Sequence, residues 1–146
     1  GVLVMADLPI PKVVNSLDVD EDKAYEPPYQ IRWGVNNETT GTDTITMGRT
    51  IIPPRGRNGL HYHKNCDTTI YVVKGPINIY YKEGEEIVRK EIPQGHFVYF
   101  PQTCIHGQEN PSQTEVAELI FTYGAMPNKE AAGTTFVDDS RDPLKD

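Results

Sequence analysis

Two histidines one residue apart, His61 and His63, are the strongest chemical signal in this 146-residue sequence, which contains four histidines in all. They lie in the segment Leu60 to Lys64, which has β-strand character, and side chains at positions i and i+2 of a strand point to the same face. The two imidazoles can therefore converge on one point, where a third imidazole from another strand would complete half of a metal shell. Imidazole suits zinc, copper, iron and nickel, so the ligand type narrows the choice of metal without naming it.

Two longer segments around this pair resemble the two sequence motifs of the cupin superfamily. The segment from Gly56 to Gly75 is similar to the first motif, G-x5-H-x-H-x3-4-E-x6-G. The segment from Gly95 to Asn110 is similar to the second, G-x5-P-x-G-x2-H-x3-N, and it contributes a third histidine, His106. Both motifs occur in the family's order. The resemblance implies that His61, His63 and His106 are the metal ligands of a single-domain cupin.

The sequence departs from the first motif at the family's metal-binding glutamate. Counted back from Gly75, this position holds Thr68, and Asp67 lies beside it. The resemblance therefore implies a three-histidine shell, which also occurs in diketone-cleaving and thiol dioxygenases of the superfamily, with positions open to water and substrate. Asp67 is a candidate replacement ligand, although its strand parity is opposite to that of Thr68 unless a turn intervenes. We expect Thr68 to hydrogen-bond a metal-bound water.

Residues near the third histidine have less specific assignments. Gln108 shares strand parity with His106, which makes it a candidate hydrogen-bond donor or weak ligand in the site, or an ordinary polar residue at the edge of the core. Cys104 also shares that parity and either borders the metal or acts as a small buried hydrophobe. His96 is predicted to lie on the surface. Thr103 replaces the motif glycine.

Short strands separated by turn signals account for most of the chain. The predicted strands are residues 29–33, 44–52, 60–64, 69–73, 77–81, 87–92, 97–100, 104–109 and 116–123. This pattern and the resemblance predict an all-β fold, a cupin-type conical β-barrel (a double-stranded β-helix of jelly-roll type) over residues 29–124. Proline and acidic residues predict an extended N-terminal arm over residues 1–28, and a polar composition predicts a loosely packed C-terminal tail over 125–146.

Composition excludes several classes of partner. A net charge of −7 and a pI near 5.0 argue against nucleic acid, which requires a basic surface. No apolar run approaches the ~20 residues of a membrane span.

Cys66 and Cys104 do not form a disulfide framework and no targeting signal is evident, so we expect a cytoplasmic protein. The resemblance implies a homodimer, to which the apolar start of the arm would contribute by pairing with a neighbouring subunit.

These observations predict a metal-dependent enzyme that acts on a small, oxygen-rich substrate able to chelate the metal. Three imidazoles add no charge, so one divalent ion per chain would favour anionic ligands such as carboxylates and enolates. Fe(II) and a dioxygenase reaction are favoured, because a three-histidine shell with open positions supports dioxygen chemistry. Zinc, manganese or nickel would instead favour an isomerase, cyclase or lyase. A small-ligand-binding module without catalysis is the alternative from another class. No general base is evident unless Asp67 or Glu118 turns inward.

Overall fold

The computed structural model describes residues 8–145, and this part of the chain forms ten β-strands and two short 3₁₀ turns. The strands are β1 (Gln30–Val35), β2 (Ile45–Ile52), β3 (His61–His63), β4 (Thr68–Lys74), β5 (Ile77–Glu83), β6 (Glu86–Ile92), β7 (Phe97–Phe100), β8 (His106–Glu109), β9 (Ala117–Gly124) and β10 (Thr134–Phe136). The turns are Ser16–Asp18 and Glu130–Ala132. Among the described residues, no helix has the length and apolar character needed to cross a membrane.

The strands form two five-stranded antiparallel sheets, in the orders β1-β2-β9-β4-β7 and β10-β3-β8-β5-β6. This arrangement confirms the all-β, jelly-roll type of fold that the sequence predicts. Strand β9 shows how the sequence specifies it, because its side chains alternate between buried and half-buried along the whole strand. The buried side chains of β9 belong to Ala117, Leu119, Phe121 and Tyr123, and they form part of the core between the sheets.

One close backbone approach depends on a glycine in β2. A Cβ atom added at Gly48 would lie 2.5 Å from Cζ of Phe121, whose ring packs edge-on against Trp33 with centroids 5.2 Å apart. A side chain at position 48 would therefore displace the aromatic cluster.

The described part of the N-terminal arm, residues 8–28, has no strand of its own but is fastened to the barrel. The backbone of Asp22 exchanges hydrogen bonds with Ile31 of β1, at 2.7 and 3.1 Å. The Asp22 carboxylate also accepts from Trp33 Nε1 at 3.0 Å and pairs with Lys129. The apolar start of the arm, which the sequence suggests as a subunit contact, falls mainly in residues 1–7, outside the described residues.

The structure contradicts the loose packing predicted for the C-terminal tail. Strand β10 extends the second sheet by pairing with β3, so that Thr134 lies opposite His63 and Phe136 lies opposite His61. Polar composition concealed this strand because only three residues form it, too few to show a clear alternation.

The end of the described chain is also packed. The Leu144 side chain is 3% exposed and contacts β8 at Gly107, where an added Cβ would collide with it. Asp142 is buried, and its Oδ2 accepts from Leu60 N at 2.8 Å, directly before β3. The C-terminal segment therefore supports the strand that carries two of the histidines.

Candidate metal centre

Three buried histidines meet on the inner face of the second sheet. His61 and His63 project from β3 and His106 from the neighbouring β8, where His61 and His106 are direct partners in the ladder. Their side chains are among the most deeply buried polar groups, and one ligand atom from each lies within 4.8 Å of the other two. The predicted trio is thus brought together by adjacent strands, with the spacing of a preformed metal shell.

Two of the imidazoles are oriented by backbone carbonyls. His61 Nδ1 lies 2.8 Å from Gly59 O, and His106 Nδ1 lies 2.9 Å from Cys104 O. A carbonyl oxygen only accepts, so both Nδ1 atoms carry the hydrogen and donate it. The Nε2 lone pairs are then free to coordinate a cation, which is the usual role of such outer hydrogen bonds in metal sites.

The third imidazole is oriented by side chains from both ends of the chain. His63 Nδ1 lies 2.9 Å from the Thr134 hydroxyl, which lies 2.5 Å from the Tyr25 hydroxyl. Tyr25 Oη in turn lies 3.4 Å from Tyr123 Oη. When His63 Nδ1 donates to the Thr134 hydroxyl, that hydroxyl can donate to Tyr25 Oη, and Tyr25 can donate to Tyr123 Oη. The arm and the C-terminal segment therefore both support the centre, which sequence reasoning did not predict.

Burial leaves two of the imidazoles uncharged, so that their lone pairs are available to a metal ion. Burial, reinforced by neighbouring His61, lowers the pKa of His63 to about 3. Burial also lowers the pKa of His106 well below its ordinary value. Both rings are therefore neutral at pH 7, as metal ligands must be. No acidic side chain among residues 8–145 joins the group of ligand atoms. The donor set and its geometry thus fit one divalent ion held by three imidazoles.

Aromatic rings restrict the movement of the ligands. Phe100 stacks on His106 with centroids 4.0 Å apart and an interplanar angle of 17°. Tyr123 lies against His63 at 4.8 Å, and Phe136 of β10 lies against His61 at 5.4 Å. Packing on several sides limits the imidazole rotamers and keeps the site preorganised.

A small cavity adjoins the histidines. Its free volume is about 30 Å³, which is room for one or two waters. Thr68 and Gln108 both line it, as the strand parity predicts. Thr68 Oγ1 is buried and has no hydrogen-bond partner within the described residues. Gln108 is 8% exposed, and its backbone N–H donates to Asn58 Oδ1 at 2.8 Å. Both side chains are placed to contact a group bound beside the three histidines.

Asp67 does not reach the histidines. Its side chain is exposed, and its Oδ1 accepts from the backbone N–H of Gln102 at 2.8 Å. The strand parity that separates it from Thr68 is maintained, so a role as replacement ligand is not supported by this arrangement. Glu118, the other acid considered as a base, pairs with Arg49 at 2.5 Å on the opposite face of β9 from the core.

The remaining predicted positions lie away from the cavity. Cys104 lines an outer groove with Ile79 and Phe97, and Cys66 is buried. Burial raises the pKa of both thiols, which makes them less nucleophilic. His96 is exposed, as predicted.

Two motif positions have backbone roles. Asn110 is 2% exposed, and its Nδ2 donates to carbonyls of Ile52, Pro53 and Glu115, which ties the ends of β2 and β8 to the start of β9. Thr103 has a φ of +70°, the left-handed conformation that the motif glycine would adopt readily. The turn before His106 is therefore retained although glycine is replaced.

Sequence reasoning missed one acidic residue of the cavity, Glu26. It belongs to the arm, directly before two prolines and β1, yet it is 9% exposed and lines the same cavity as the three histidines. Its Oε2 accepts from Asn58 Nδ2 at 2.8 Å. Nothing in the local sequence distinguishes it from Glu21, which forms an exposed ion pair with Arg32.

Comparison with known proteins gives a consistent picture. A family model described as Cupin matches residues 29–141. Germin-like protein 3-8 of Oryza sativa subsp. japonica is 26% identical over 113 residues, which cover 71% of this chain and 50% of that protein. An uncharacterized protein of Aquifex aeolicus is 34% identical over 62 residues, covering 42% of this chain and 48% of that one. The chain thus spans about half the length of these curated relatives.

Solved structures share the fold. The polyketide cyclase RemF of Streptomyces resistomycificus superposes with a TM-score of 0.72 at 19% identity, covering 92% of this chain and 91% of that one. Oxalate oxidase in complex with the substrate analogue glycolate superposes with a TM-score of 0.67 at 20% identity, covering 84% of this chain and 62% of that one. Oxalate decarboxylase of Lactobacillus farciminis in its formate complex superposes with a TM-score of 0.71 at 16% identity, covering 90% of this chain and 37% of that one. At these identities the likeness establishes the fold.

Proposed function

The chain belongs to the cupin family, and from this premise we propose that it is an enzyme that uses one divalent metal ion held by His61, His63 and His106. The observation that carries the proposal is the buried trio of imidazoles whose Nδ1 atoms are already engaged, which leaves three convergent Nε2 atoms for a cation. A bound metal would supply Lewis acidity, and dioxygen chemistry where it is redox-active.

We propose that the substrate is a small, oxygen-rich anion or enol that chelates the metal. The free volume of about 30 Å³ is far below that of ordinary ligand pockets, which is roughly 300–1,000 Å³. A substrate of few non-hydrogen atoms is therefore favoured, entering by displacing water. Relatives of similar fold are described with glycolate and with formate, both of that size. Thr68 and Gln108 would contact this substrate and fix its orientation.

A dioxygenase reaction with Fe(II) is the favoured form of this proposal. A neutral three-histidine shell leaves open positions on the metal, and a chelating substrate would occupy some of them and leave room for dioxygen. An isomerase, cyclase or lyase with zinc, manganese or nickel is the second candidate. The Glu26 carboxylate in the cavity favours it, since these reactions depend on proton transfer.

Oxygen consumption distinguishes the two candidates. The protein is loaded separately with Fe(II), Zn(II), Mn(II) and Ni(II) and mixed with oxalate, glycolate and small β-dicarbonyls in a closed oxygen electrode. Uptake that needs Fe(II) and His106 supports the dioxygenase. Conversion of substrate without oxygen uptake supports an isomerase or lyase. No conversion by any loaded form, with binding retained, would favour a binding module.

We also propose a homodimer in the cytoplasm. Phe97 and Tyr99 of the edge strand β7 are 81% and 59% exposed, which is unusual for large apolar side chains and favours a subunit contact. The unpaired cysteines favour a reducing compartment. Light scattering after gel filtration tests the dimer, and a Phe97→Ser/Tyr99→Ser variant should shift it to monomer.

A further inference from the structure

We propose that Glu26 is the acid–base residue of this centre, and that its Oε1 accepts the hydroxyl or enol proton of a ligand that chelates the metal. The inference rests on the proposed function above, since it requires a metal ion at the three histidines.

The fold brings Glu26 from outside both motifs into the metal cavity. The backbone N–H of Tyr29 donates to Glu26 O at 2.8 Å, which closes a turn at the point where the arm enters β1. The Glu26 side chain lines the same space as His61, His63 and His106. Among the described residues, Glu26 is the one carboxylate that lines the cavity.

The carboxylate is oriented by Asn58. The backbone N–H of Gln108 donates to Asn58 Oδ1 at 2.8 Å, so the Asn58 amide must present its Nδ2 hydrogens on the other side. That group donates to Glu26 Oε2 at 2.8 Å. If the Asn58 amide were rotated by 180°, its Nδ2 would face the backbone N–H of Gln108, which is also a donor. Its Oδ1 would face Glu26 Oε2, which is also an acceptor. One oxygen of Glu26 is therefore held, whereas Oε1 has no hydrogen bond to any other part of residues 8–145.

The position of Glu26 outside the group of ligand atoms favours proton transfer over coordination. The Glu26 oxygens do not belong to the group of ligand atoms that lie within 4.8 Å of one another. A carboxylate that lines the same cavity without joining the ligand atoms is placed to contact a group bound at the metal. A base must lie within hydrogen-bond reach of the proton that it accepts, and this arrangement provides that position.

The neighbouring phenols do not compete for the proton. Burial, and then the charge of Glu26, raise the pKa of both Tyr29 and Tyr123 well above the ordinary value. Both phenols therefore stay protonated at neutral pH. In the proposed step, the O–H bond of the enol breaks, an O–H bond forms at Glu26 Oε1, and the negative charge moves from the carboxylate to the ligand. The reverse transfer returns the proton to a product.

Proton counting during ligand binding tests this role without a turnover assay. Zinc-loaded protein is titrated at pH 7 with acetylacetone, a β-dicarbonyl that chelates as its enolate, by calorimetry in phosphate and in Tris. The difference in heat between the buffers gives the protons released. We expect wild type to release fewer protons than Glu26→Gln, because the Glu26 carboxylate can accept the enol proton. Glu26→Gln should release about one per ligand, because the neutral amide cannot accept it.

Controls separate the role of Glu26 from effects on the fold and the metal. Oxalate is already ionised at pH 7 and should bind wild type and Glu26→Gln without proton release. Glu118→Gln, which removes a half-buried carboxylate on the face of β9 opposite the core, should give the wild-type count. Zinc content should match wild type in both variants. The thermal midpoint of Glu26→Gln should also match, since glutamine retains an acceptor for Asn58.

Equal proton release by wild type and Glu26→Gln would overturn the role of Glu26 and leave the proposed function standing. Failure of zinc-loaded wild type to bind either acetylacetone or oxalate would contradict the proposed function itself. The wild-type count is decisive even where the variant is unstable, because release of a full proton by wild type means that no cavity residue keeps it.

Discussion

Thr134 Oγ1 lies 2.9 Å from His63 Nδ1, so a residue ten positions beyond the end of the predicted barrel orients one of the three histidines of the candidate metal centre. The contact arises because β10 pairs with β3, with Thr134 directly opposite His63. The same hydroxyl contacts Tyr25 of the N-terminal arm. Both ends of the chain thus stabilise the geometry of the centre.

Replacing Thr134 by valine should weaken metal binding while the fold is retained. Valine preserves the β-branched shape but removes the hydroxyl that fixes the His63 ring, and loss of such a partner typically costs ~10–100-fold in metal affinity. Competition with a chromophoric chelator measures this change. Thr135→Val is the matched control, because Thr135 is exposed on the same strand and should bind metal as wild type does. Equal metal affinities of the two variants would show that the Thr134 hydroxyl does not support metal binding.

The packed C-terminal segment predicts a large effect of Leu144→Ala. Leu144 is 3% exposed, and truncation of a buried leucine costs about 2–5 kcal/mol of unfolding free energy. Leu17→Ala provides the comparison, because Leu17 is 72% exposed and its loss should change stability by less than about 0.5 kcal/mol. Urea unfolding measures both. If the C-terminal tail were loosely packed, Leu144→Ala and Leu17→Ala would change the free energy of unfolding by similarly small amounts.

The arm should contribute a pH-dependent stability through Asp22. Burial opposes the charge of its carboxylate, but hydrogen bonds from Lys129, Trp33 and the backbone outweigh it and lower the pKa to about 2, against 3.8 for the free group. A lowered pKa stabilises the folded state above the unfolded value, and this contribution is lost as pH falls from about 4 towards 2.

Asp22→Asn should therefore destabilise the protein at pH 7, by on the order of 1 kcal/mol, and the difference from wild type should shrink below pH 4. Denaturant titrations at pH 7, 4 and 2.5 measure it. Asp18→Asn, which removes an exposed carboxylate of the arm, should show little difference at any of these values. A constant gap between wild type and Asp22→Asn across the series would argue against the ionic contribution.

The sequence allowed the buried histidine trio to be predicted because its motif specifies both residue type and strand position. His61 and His63 converge by strand parity alone, and the same parity correctly separates Thr68, which faces the cavity, from Asp67, which faces solvent. Local periodicity of two therefore determines which side chains of a strand share a face. It does not reveal which other elements reach that face.

Glu26 and Thr134 could not be predicted for this reason. Glu26 lies in a proline-rich arm without periodicity, and its inward position follows from backbone pairing of Asp22 with Ile31 and from its bond to Asn58. Thr134 belongs to a three-residue strand whose pairing with β3 is a long-range contact. Both depend on tertiary packing, which single-sequence patterns do not encode.

The central claim is a metal ion bound by three histidines, and metal content measured on matched variants tests it most directly. Purified wild type, His106→Ala and His96→Ala are each incubated with Fe(II) or Zn(II) under anaerobic conditions, dialysed and analysed for bound metal. We predict about one ion per chain for wild type and His96→Ala, and little or no bound metal in His106→Ala. The loss of metal affinity in His106→Ala should exceed the ~10–100-fold expected when an outer hydrogen-bond partner such as Thr134 is removed. Equal metal content in all three proteins, or none in folded wild type with any divalent ion, would contradict the account.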